Sequence, residues 1–478
     1  MRATDFDICI IGGGSAGLVT AAGAAALGAR TVLVEKHRLG GECLYTGCIP
    51  SKTLLHCAHS AAFIRRADVA GLSAQLAAPD LNRLMQHVSA VIAEIAPHDS
   101  PERFRALGVE VIESDAHFTS PYCVVAGGRE IRSRRYVIAT GSKPLIPAIS
   151  GLDDSGYFTN ETIFSLRESV THLAVIGGGP VGVELAQAFA RLGSRVSLFE
   201  MAKQILPAED DDVAGVLAVQ LRQDGVELCT GVKVERADNK TDGALGITYV
   251  NGDGVQRECR ASHLLVAAGR RPVLKNLGLE RAGVLIRDGR LAVDTRLRTS
   301  QPHIYACGDV IGPWRFTHMA EHQAGIVLRN ALLHLRARPS QVIPWCTFTE
   351  PEVARVGLSE REARAKNLRH EVYRVPFSRA DRAQTDNQTQ GFIKLLTDRR
   401  GRLLGAAIVG AHAGELIHEF ALAMARRMRA KDISACIHLY PALAQLNRFV
   451  ADERMKIRLT PTARRWLQRI FRLRGARA

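Results

Sequence analysis

Gly40–Gly41–Glu42–Cys43–Leu44–Tyr45–Thr46–Gly47–Cys48–Ile49–Pro50–Ser51–Lys52 is the stretch on which the reading of the whole chain turns. It holds two cysteines five positions apart, a glycine just before the second and a Pro-Ser-Lys after it. In a regular helix, residues five apart sit about 8–9 Å apart at Cα, whereas a disulfide wants about 4.4–6.8 Å. If Cys43 and Cys48 pair, the backbone between them must bend, and Gly47 is where bending is cheapest. A close, bent pair in a chain without secreted character points to redox cycling rather than to a structural cross-link. Lys52 adds a positive charge that favours thiolate. The plain alternative is two unconnected buried cysteines, since free cysteine is common in cores.

The flanking sequence weighs against that alternative. Phe6-Asp7-Ile8-Cys9-Ile10-Ile11 reads as a buried parallel strand and runs directly into Gly12-Gly13-Gly14-Ser15-Ala16-Gly17. An alanine-rich helix to about Ala29 follows, then the strand Thr31-Val32-Leu33-Val34 ending at Glu35. This is strand, G-x-G-x-x-G, helix, strand, acid. The glycines let the backbone approach a pyrophosphate at the helix N-terminus, and the acid can bind ribose hydroxyls. The pattern recurs at Leu173–Ile176, then Gly177, Gly179, Val181 and Gly182, a helix, Arg195–Phe199 and Glu200. Each acid lies 23 residues after the first glycine of its motif. Two copies of one βαβ unit imply two dinucleotides. A carboxylate at Glu200 suits a 2′-hydroxyl and repels a 2′-phosphate, so NADH is favoured over NADPH.

Length and composition bound the rest. The 478 residues suffice for about three domains. An apolar share of 46% and a charged share of 23% are ordinary for a globular protein. No apolar run approaches the ~20 residues of a membrane span, and no leader pattern precedes Asp5 and Asp7. The ten cysteines do not form a secreted framework, so a cytoplasmic setting is the expectation. The net charge of +15 is uneven: nine basic and no acidic residues follow Glu453, leaving 15 − 9 = +6 for the body. Neither zinc-finger spacing nor an aromatic-basic RNA motif is present, so no nucleic-acid partner and no metal-ligand set are assigned.

Residues 53–108 read as mostly helical and 109–137 as short strands. Tyr136–Ile138 leads to Ala139-Thr140-Gly141, and Leu264–Pro272, with Gly269, echoes it after the second unit. Ile304-Tyr305-Ala306-Cys307-Gly308-Asp309 is a strand followed by an acid that can meet a flavin ribityl hydroxyl. A helix is expected over 318–335. Beyond Pro344, strands at 391–396 and 406–409 alternate with helices at about 412–429 and 442–455. In the tail from Lys456, Thr462 is placed to cap a helix carrying Trp466, Leu467, Ile470, Phe471 and Leu473 among five arginines. Such a helix can lie on an anionic membrane surface; the alternatives are packing on the body or a disordered tail.

Taken together, these motifs resemble those of the class I pyridine nucleotide–disulfide oxidoreductases, FAD flavoproteins that include dihydrolipoyl dehydrogenase, glutathione reductase and mercuric reductase. The resemblance covers about residues 5–455. It implies an α/β fold with two Rossmann-type domains, for FAD and NAD, and a C-terminal α+β dimerisation domain. The expected division is 1–148 and 267–341 for FAD, 149–266 for NAD, 342–455 for dimerisation and 456–478 for the tail. It also implies that Lys36, Gly41, Glu42 and Lys52 join the glycine motifs in the cofactor set, that Lys52 pairs with Glu184, and that the protein is a homodimer. Electrons would pass from NADH to FAD to the Cys43–Cys48 disulfide, with Cys48 facing the flavin as a thiolate and Cys43 exchanging with substrate.

Two departures bear on the electron acceptor. Dihydrolipoyl dehydrogenases and glutathione reductases carry a His-Pro near the C-terminus, whose histidine is the acid/base partner of the dithiol. Here the segment is His438-Leu439-Tyr440-Pro441-Ala442-Leu443-Ala444-Gln445, with Tyr440 in the histidine place and Gln445 in the place of the orienting glutamate. A phenol of pKa about 10 is a poor proton shuttle at neutral pH. His438 is the alternative acid/base group. A tyrosine at this place is similar to mercuric reductases, yet no cysteine follows Cys436, so the C-terminal cysteine pair of those enzymes is missing. The expectation is therefore an FAD- and NADH-dependent reductase of a disulfide or metal-ion acceptor. A dihydrolipoyl dehydrogenase with an atypical acid/base group is the first alternative. A flavin-bound redox sensor or membrane-docked interaction protein with little turnover is the second.

Overall fold

The fold was taken from a computed structural model, which describes residues 4–474. The chain divides into two compact units, Met1–Met201 with Gly225–Pro339, and Ala202–Asp224 with Ser340–Ala478.

The first unit is built on two parallel sheets. In one, β1 (Phe6–Ile11) is followed by helix α1 (Ser15–Ala26), β2 (Thr31–Glu35), α2 (Gly41–Tyr45) and α3 (Cys48–Arg65). With β3 (Val109–Glu113), β4 (Ser133–Ile138) and the later β9 (Ile304–Ala306), it forms a five-stranded sheet of order β9-β4-β1-β2-β3. Every pairing is parallel. Ile8, Cys9 and Ile10 are fully buried because both faces of β1 are covered, as its unbroken apolar run requires. The second sheet repeats the scheme with β5 (His172–Ile176), α4 (Pro180–Arg191), β6 (Arg195–Glu200), β7 (Val226–Thr230) and β8 (His263–Val266), in the order β7-β6-β5-β8. Helix α5 (Thr317–Ala331) follows β9.

In the second unit, β10 (Pro344–Thr347), β11 (Glu352–Gly357), β12 (Glu371–Pro376), β13 (Phe392–Thr397) and β14 (Leu403–Gly410) form an antiparallel sheet of order β10-β11-β14-β13-β12. Helices α6 (Ala413–Ala425) and α7 (Gln445–Arg458) belong to the same unit. Lys394, 3% exposed on β13, is held by Asp210 at 3.2 Å, Asp212 at 2.6 Å and Glu360 at 3.3 Å. A buried ammonium persists only with such partners.

Three expectations shift. The helix expected over 412–429 stops at Ala425, because Arg427 takes a positive φ of 56°, and a separate turn runs Ala430–Ser434. The region 53–108 is mostly helical, broken briefly at Arg66, Ser100 and 107–108 and by 71–80, a longer stretch with no helix. The tail helix α8 (Pro461–Ile470) is capped by Thr460 rather than Thr462: Thr460 Oγ1 accepts from the Ala463 N–H at 3.1 Å, with Pro461 in the first turn where its missing N–H costs nothing. Residues 475–478 of the tail lie outside the described residues. Among the described residues, no helix is long and apolar enough to cross a membrane.

Candidate active site

The two glycine motifs build matching cradles. Gly12 and Gly177 have φ of 110° and 113°. A Cβ at Gly12 would stand 2.4 Å from the Ala139 carbonyl oxygen, and one at Gly177 would stand 2.4 Å from that of Ala267. Gly17 and Gly182 pack so tightly that a Cβ would meet the Gly12 and Gly177 oxygens at 1.8 and 1.9 Å. Ser15 and Ala16 then open α1, and Pro180 and Val181 open α4. The second-strand acids sit alike too: Glu35 Oε2 accepts the Gly13 N–H and Glu200 Oε2 accepts the Gly178 N–H, each at 2.6 Å. Glu35 Oε1 also accepts the His37 N–H at 2.8 Å, while Lys36 is exposed in the turn between them. At the first cradle Gly41 faces Gly14, where a Cβ would come within 2.7 Å of the Gly14 Cα. Ala139–Gly141 and Gly308 follow β4 and β9 at the same C-terminal edge, with Gly308 at φ 79°. Bare backbone at helix N-termini, with an acid on the next strand, fits a dinucleotide at each cradle.

The structure brings Cys43 and Cys48 together across a bend in the backbone. Helix α2 ends at Tyr45, Gly47 turns the chain (φ −120°, ψ −110°), and Cys48 begins α3. The two side chains lie side by side, within hydrogen-bonding reach of each other. Thr317, at the start of α5, donates to Cys43 Sγ at 3.3 Å and lies 3.5 Å from Cys48 Sγ. The pair is asymmetric. The hydrogen bond from Cys43 pulls the Cys48 thiol below its ordinary pKa; Thr317 and the Lys52 charge help, while burial and Glu184 oppose. Cys43 shifts the other way, raised first by its bond to Cys48 and then by burial. The first turn of an 18-residue helix, with Lys52 one turn on, is a place that favours an anion. Lys52 Nζ donates to Glu184 Oε2 at 2.8 Å, and the Glu184 side chain is only 6% exposed.

A polar network that the sequence did not foretell lies beside the pair. Arg270 donates to a Glu42 carboxylate oxygen, and Asn160 donates to the other at 2.6 Å. Arg270 Nε also donates to Ser142 Oγ at 2.8 Å, and Ser142 Oγ donates to Asp309 Oδ2 at 2.5 Å. Burial pushes the Glu42 carboxyl up to about 7, against the Arg270 charge and the Asn160 hydrogen bond. Glu42 and Asp309, both expected in the cofactor set, thus hold protein groups. Gly269, with φ 112°, directly precedes Arg270. Thr317, Arg270, Asn160 and Ser142 carried no motif; the only local signal was that Arg270 follows a strand-end glycine, as Ser142 follows Gly141.

In the second unit, the segment around Tyr440 separates its two candidate proton carriers. Tyr440 is 65% exposed and donates to Asp381 Oδ2 at 3.1 Å, a bond that raises its phenol pKa. The His438 side chain is 6% exposed: Nε2 lies 3.0 Å from Glu419 Oε1 and Nδ1 lies 3.1 Å from the Cys436 carbonyl oxygen. Asn447 donates to the same Glu419 at 2.8 Å. Gln445 is buried at the start of α7.

Residues 6–324 match the pyridine nucleotide-disulphide oxidoreductase family and residues 343–448 its dimerisation domain. The chain belongs to this family. Among curated members, it is 32% identical over 444 residues to a mercuric reductase of Bacillus cereus, covering 92% of this chain and 70% of that protein. It is 35% identical over 463 residues to a dihydrolipoyl dehydrogenase of Haloferax volcanii, covering 93% and 95%. Among solved structures of the fold, a Cu(II) complex of the HOCl-induced flavoprotein disulfide reductase RclA from Escherichia coli superposes with a TM-score of 0.84 at 28% identity, over 94% of this chain and 99% of that one. As a pyridine nucleotide-disulphide oxidoreductase, the protein is an FAD-dependent oxidoreductase that uses NAD(P)H, with a disulfide redox centre.

The asymmetry of the cysteine pair makes a spectroscopic prediction. The FAD-loaded protein, reduced anaerobically by one equivalent of NADH, should show long-wavelength thiolate–flavin absorbance. Because the Cys48 pKa is lowered, the band should persist below the ordinary thiol pKa of about 8.5 and fade only as pH falls further. Lys52→Met should move that midpoint upward. A wild-type midpoint at or above the ordinary value contradicts the assignment.

Proposed function

We propose that the protein is a homodimeric, NADH-preferring flavoprotein reductase that passes electrons through Cys43 and Cys48 to a thiophilic metal ion, Cu(II) or Hg(II). FAD, when bound, supplies the two-electron link between nicotinamide and cysteines. The observation that carries the choice of acceptor is Tyr440. A disulfide substrate needs a proton for its leaving thiolate, and general acid help is typically worth 10²–10⁴-fold. An exposed phenol bound to Asp381, with its pKa raised, gives that proton up reluctantly. A metal ion needs none. Thiolates are soft ligands suited to copper and mercury. On oxidation to the disulfide, the dithiol yields two electrons and two protons; two Cu(II) take one electron each, or one Hg(II) takes both. The Cu(II) complex of the similar RclA supports testing copper first.

One observation favours a second reading, dihydrolipoyl dehydrogenase activity: His438 and Glu419 form a histidine–carboxylate pair in the segment where an acid/base histidine is wanted. Turnover of lipoamide, Cu(II) and Hg(II) with NADH separates the two. Metal-ion reduction should exceed lipoamide reduction, and Tyr440→His should raise lipoamide turnover, further when combined with Gln445→Glu. Fast wild-type lipoamide turnover, unmoved by Tyr440→His and lost in His438→Gln, would establish the second reading.

The nicotinamide preference rests on Glu200, whose carboxylate closes β6 beside the second cradle. Glu200→Arg should shift the ratio of kcat/KM for NADH over NADPH toward NADPH. A wild type that prefers NADPH tenfold contradicts this placement.

The tail belongs to the same proposal as a peripheral membrane contact. No residue of α8 is buried, and Trp466, Ile470 and Phe471 are exposed among arginines. Each basic residue near an anionic surface is worth about 1 kcal/mol. The full chain should co-sediment with phosphatidylserine vesicles and a 1–455 truncation should not; equal binding of both ends this part of the proposal.

A further inference from the structure

The first unit contains a cavity at the edge of its sheet opposite the cradle. Arg134 and Arg135 are the second and third residues of β4, and His303 immediately precedes β9. The glycine turns leave the C-terminal ends of the same strands, roughly 20 Å away by the rise of a six-residue strand. The cavity holds about 500 Å³, within the range of small-molecule sites. Its walls carry Arg134, Arg135, Arg296 and Arg298, together with His303 and His334.

The charges in this cavity do not cancel. Arg134 is paired with Asp7 at 3.4 Å and Arg298 with Asp294 at 2.7 Å. Arg135 donates to the carbonyl oxygens of Ala331 at 3.2 Å and Arg134 at 3.1 Å, which occupy two of its five N–H donors. Neither Arg135 nor Arg296 has a carboxylate partner among the described residues, and both are half-buried. Arg135, Arg298 and Arg296 line the cavity with Tyr305, and each opposes the rise in its phenol pKa that burial causes, while the single carboxylate acting there, Asp294, adds to it. The Tyr122 ring, 62% exposed, stacks on His303 at 4.3 Å with an interplanar angle of 10°. Half-buried guanidinium groups without a counter-charge keep N–H donors open to an anion, and their planar forks match phosphate oxygens.

We infer that this cavity binds a small, multiply phosphorylated anion, separately from the dinucleotide cradles. The shared chemistry is a polyphosphate, carried either by inorganic polyphosphate or by a nucleoside triphosphate whose base stacks on Tyr122. The test is titration calorimetry on the FAD-loaded full chain, with saturating NAD⁺ to fill the second cradle, using tripolyphosphate, ATP and, at equal ionic strength, sulfate. Tripolyphosphate should bind more tightly than sulfate. Arg296→Gln, which removes a side chain with no ion pair of its own, should weaken binding roughly tenfold or more and leave NADH oxidation unchanged. Arg296→Lys, keeping the charge but not the fork, should fall between. ATP tighter than tripolyphosphate, with the difference erased by Tyr122→Ala, assigns the site to a nucleotide; equal or weaker ATP assigns it to the inorganic anion. No binding by wild type, binding matched by sulfate, or affinity unchanged in both Arg296 variants overturns the inference.

Discussion

The chemistry of this chain hangs on a backbone break two residues long, at Thr46 and Gly47. Had α2 continued through Thr46 and Gly47 into α3, Cys43 and Cys48 would lie on different faces of one helix, too far apart to pair. Ending one helix at Tyr45 and starting the next at Cys48 brings the two sulfurs within hydrogen-bonding reach. It also gives Cys48 the anion-favouring first turn of α3, with Lys52 one turn further on. Gly47 permits the approach: a Cβ there would sit 3.0 Å from the Glu42 carbonyl oxygen and 3.3 Å from the Cys43 Cα. The inequality of the cysteines, with the Cys48 pKa lowered and the Cys43 pKa raised, comes first from the hydrogen bond between them that this approach permits, and Thr317 and the Lys52 charge add to the lowering at Cys48.

Around that break, polar groups from distant parts of the chain fix the surroundings. Glu184 from α4 holds Lys52, Thr317 from α5 meets both sulfurs, and Arg270 gathers Glu42 and Ser142, with Asn160 bonding Glu42 from the other side. A half-buried carboxyl group such as Glu42 is tolerable because both of its oxygens are bonded. The network ties α2, which carries Cys43, to the strand-end turns at Ser142 and Arg270, so the cysteine pair and the first cradle share one framework.

What was legible in the sequence follows the range of the interaction. Both βαβ units could be read because their signals are local: apolar strands buried on two faces, glycines with no room for a side chain, and an acid at a fixed distance. The Lys52–Glu184 pair came from the family resemblance, not from spacing. Thr317 was illegible because 269 residues separate it from Cys48 and a threonine at a helix start has many ordinary explanations. Arg270 and Asn160 were missed for the same reason. Near the C-terminus, neighbours in sequence diverge in space: Tyr440 turns outward to Asp381 while His438, two residues earlier, turns inward to Glu419. Alternation along an extended strand could not foretell this, because the segment is irregular rather than a strand. The tail helix was legible from its amphipathic spacing, but its start was not, since Thr460 and Thr462 flank the single Pro461 and only Thr460 accepts the capping bond.

The central claim is that electrons entering from nicotinamide come to rest on Cys43 and Cys48 and on no other cysteines. The most direct measurement is quantitative alkylation followed by peptide mass spectrometry on the air-oxidised, FAD-loaded protein, before and after one equivalent of NADH without oxygen. The account predicts that Cys43 and Cys48 are protected before reduction and become alkylated together after it, while the labelling of the other eight cysteines stays constant. Unchanged labelling at Cys43 and Cys48, or a gain at any other pair, would contradict it.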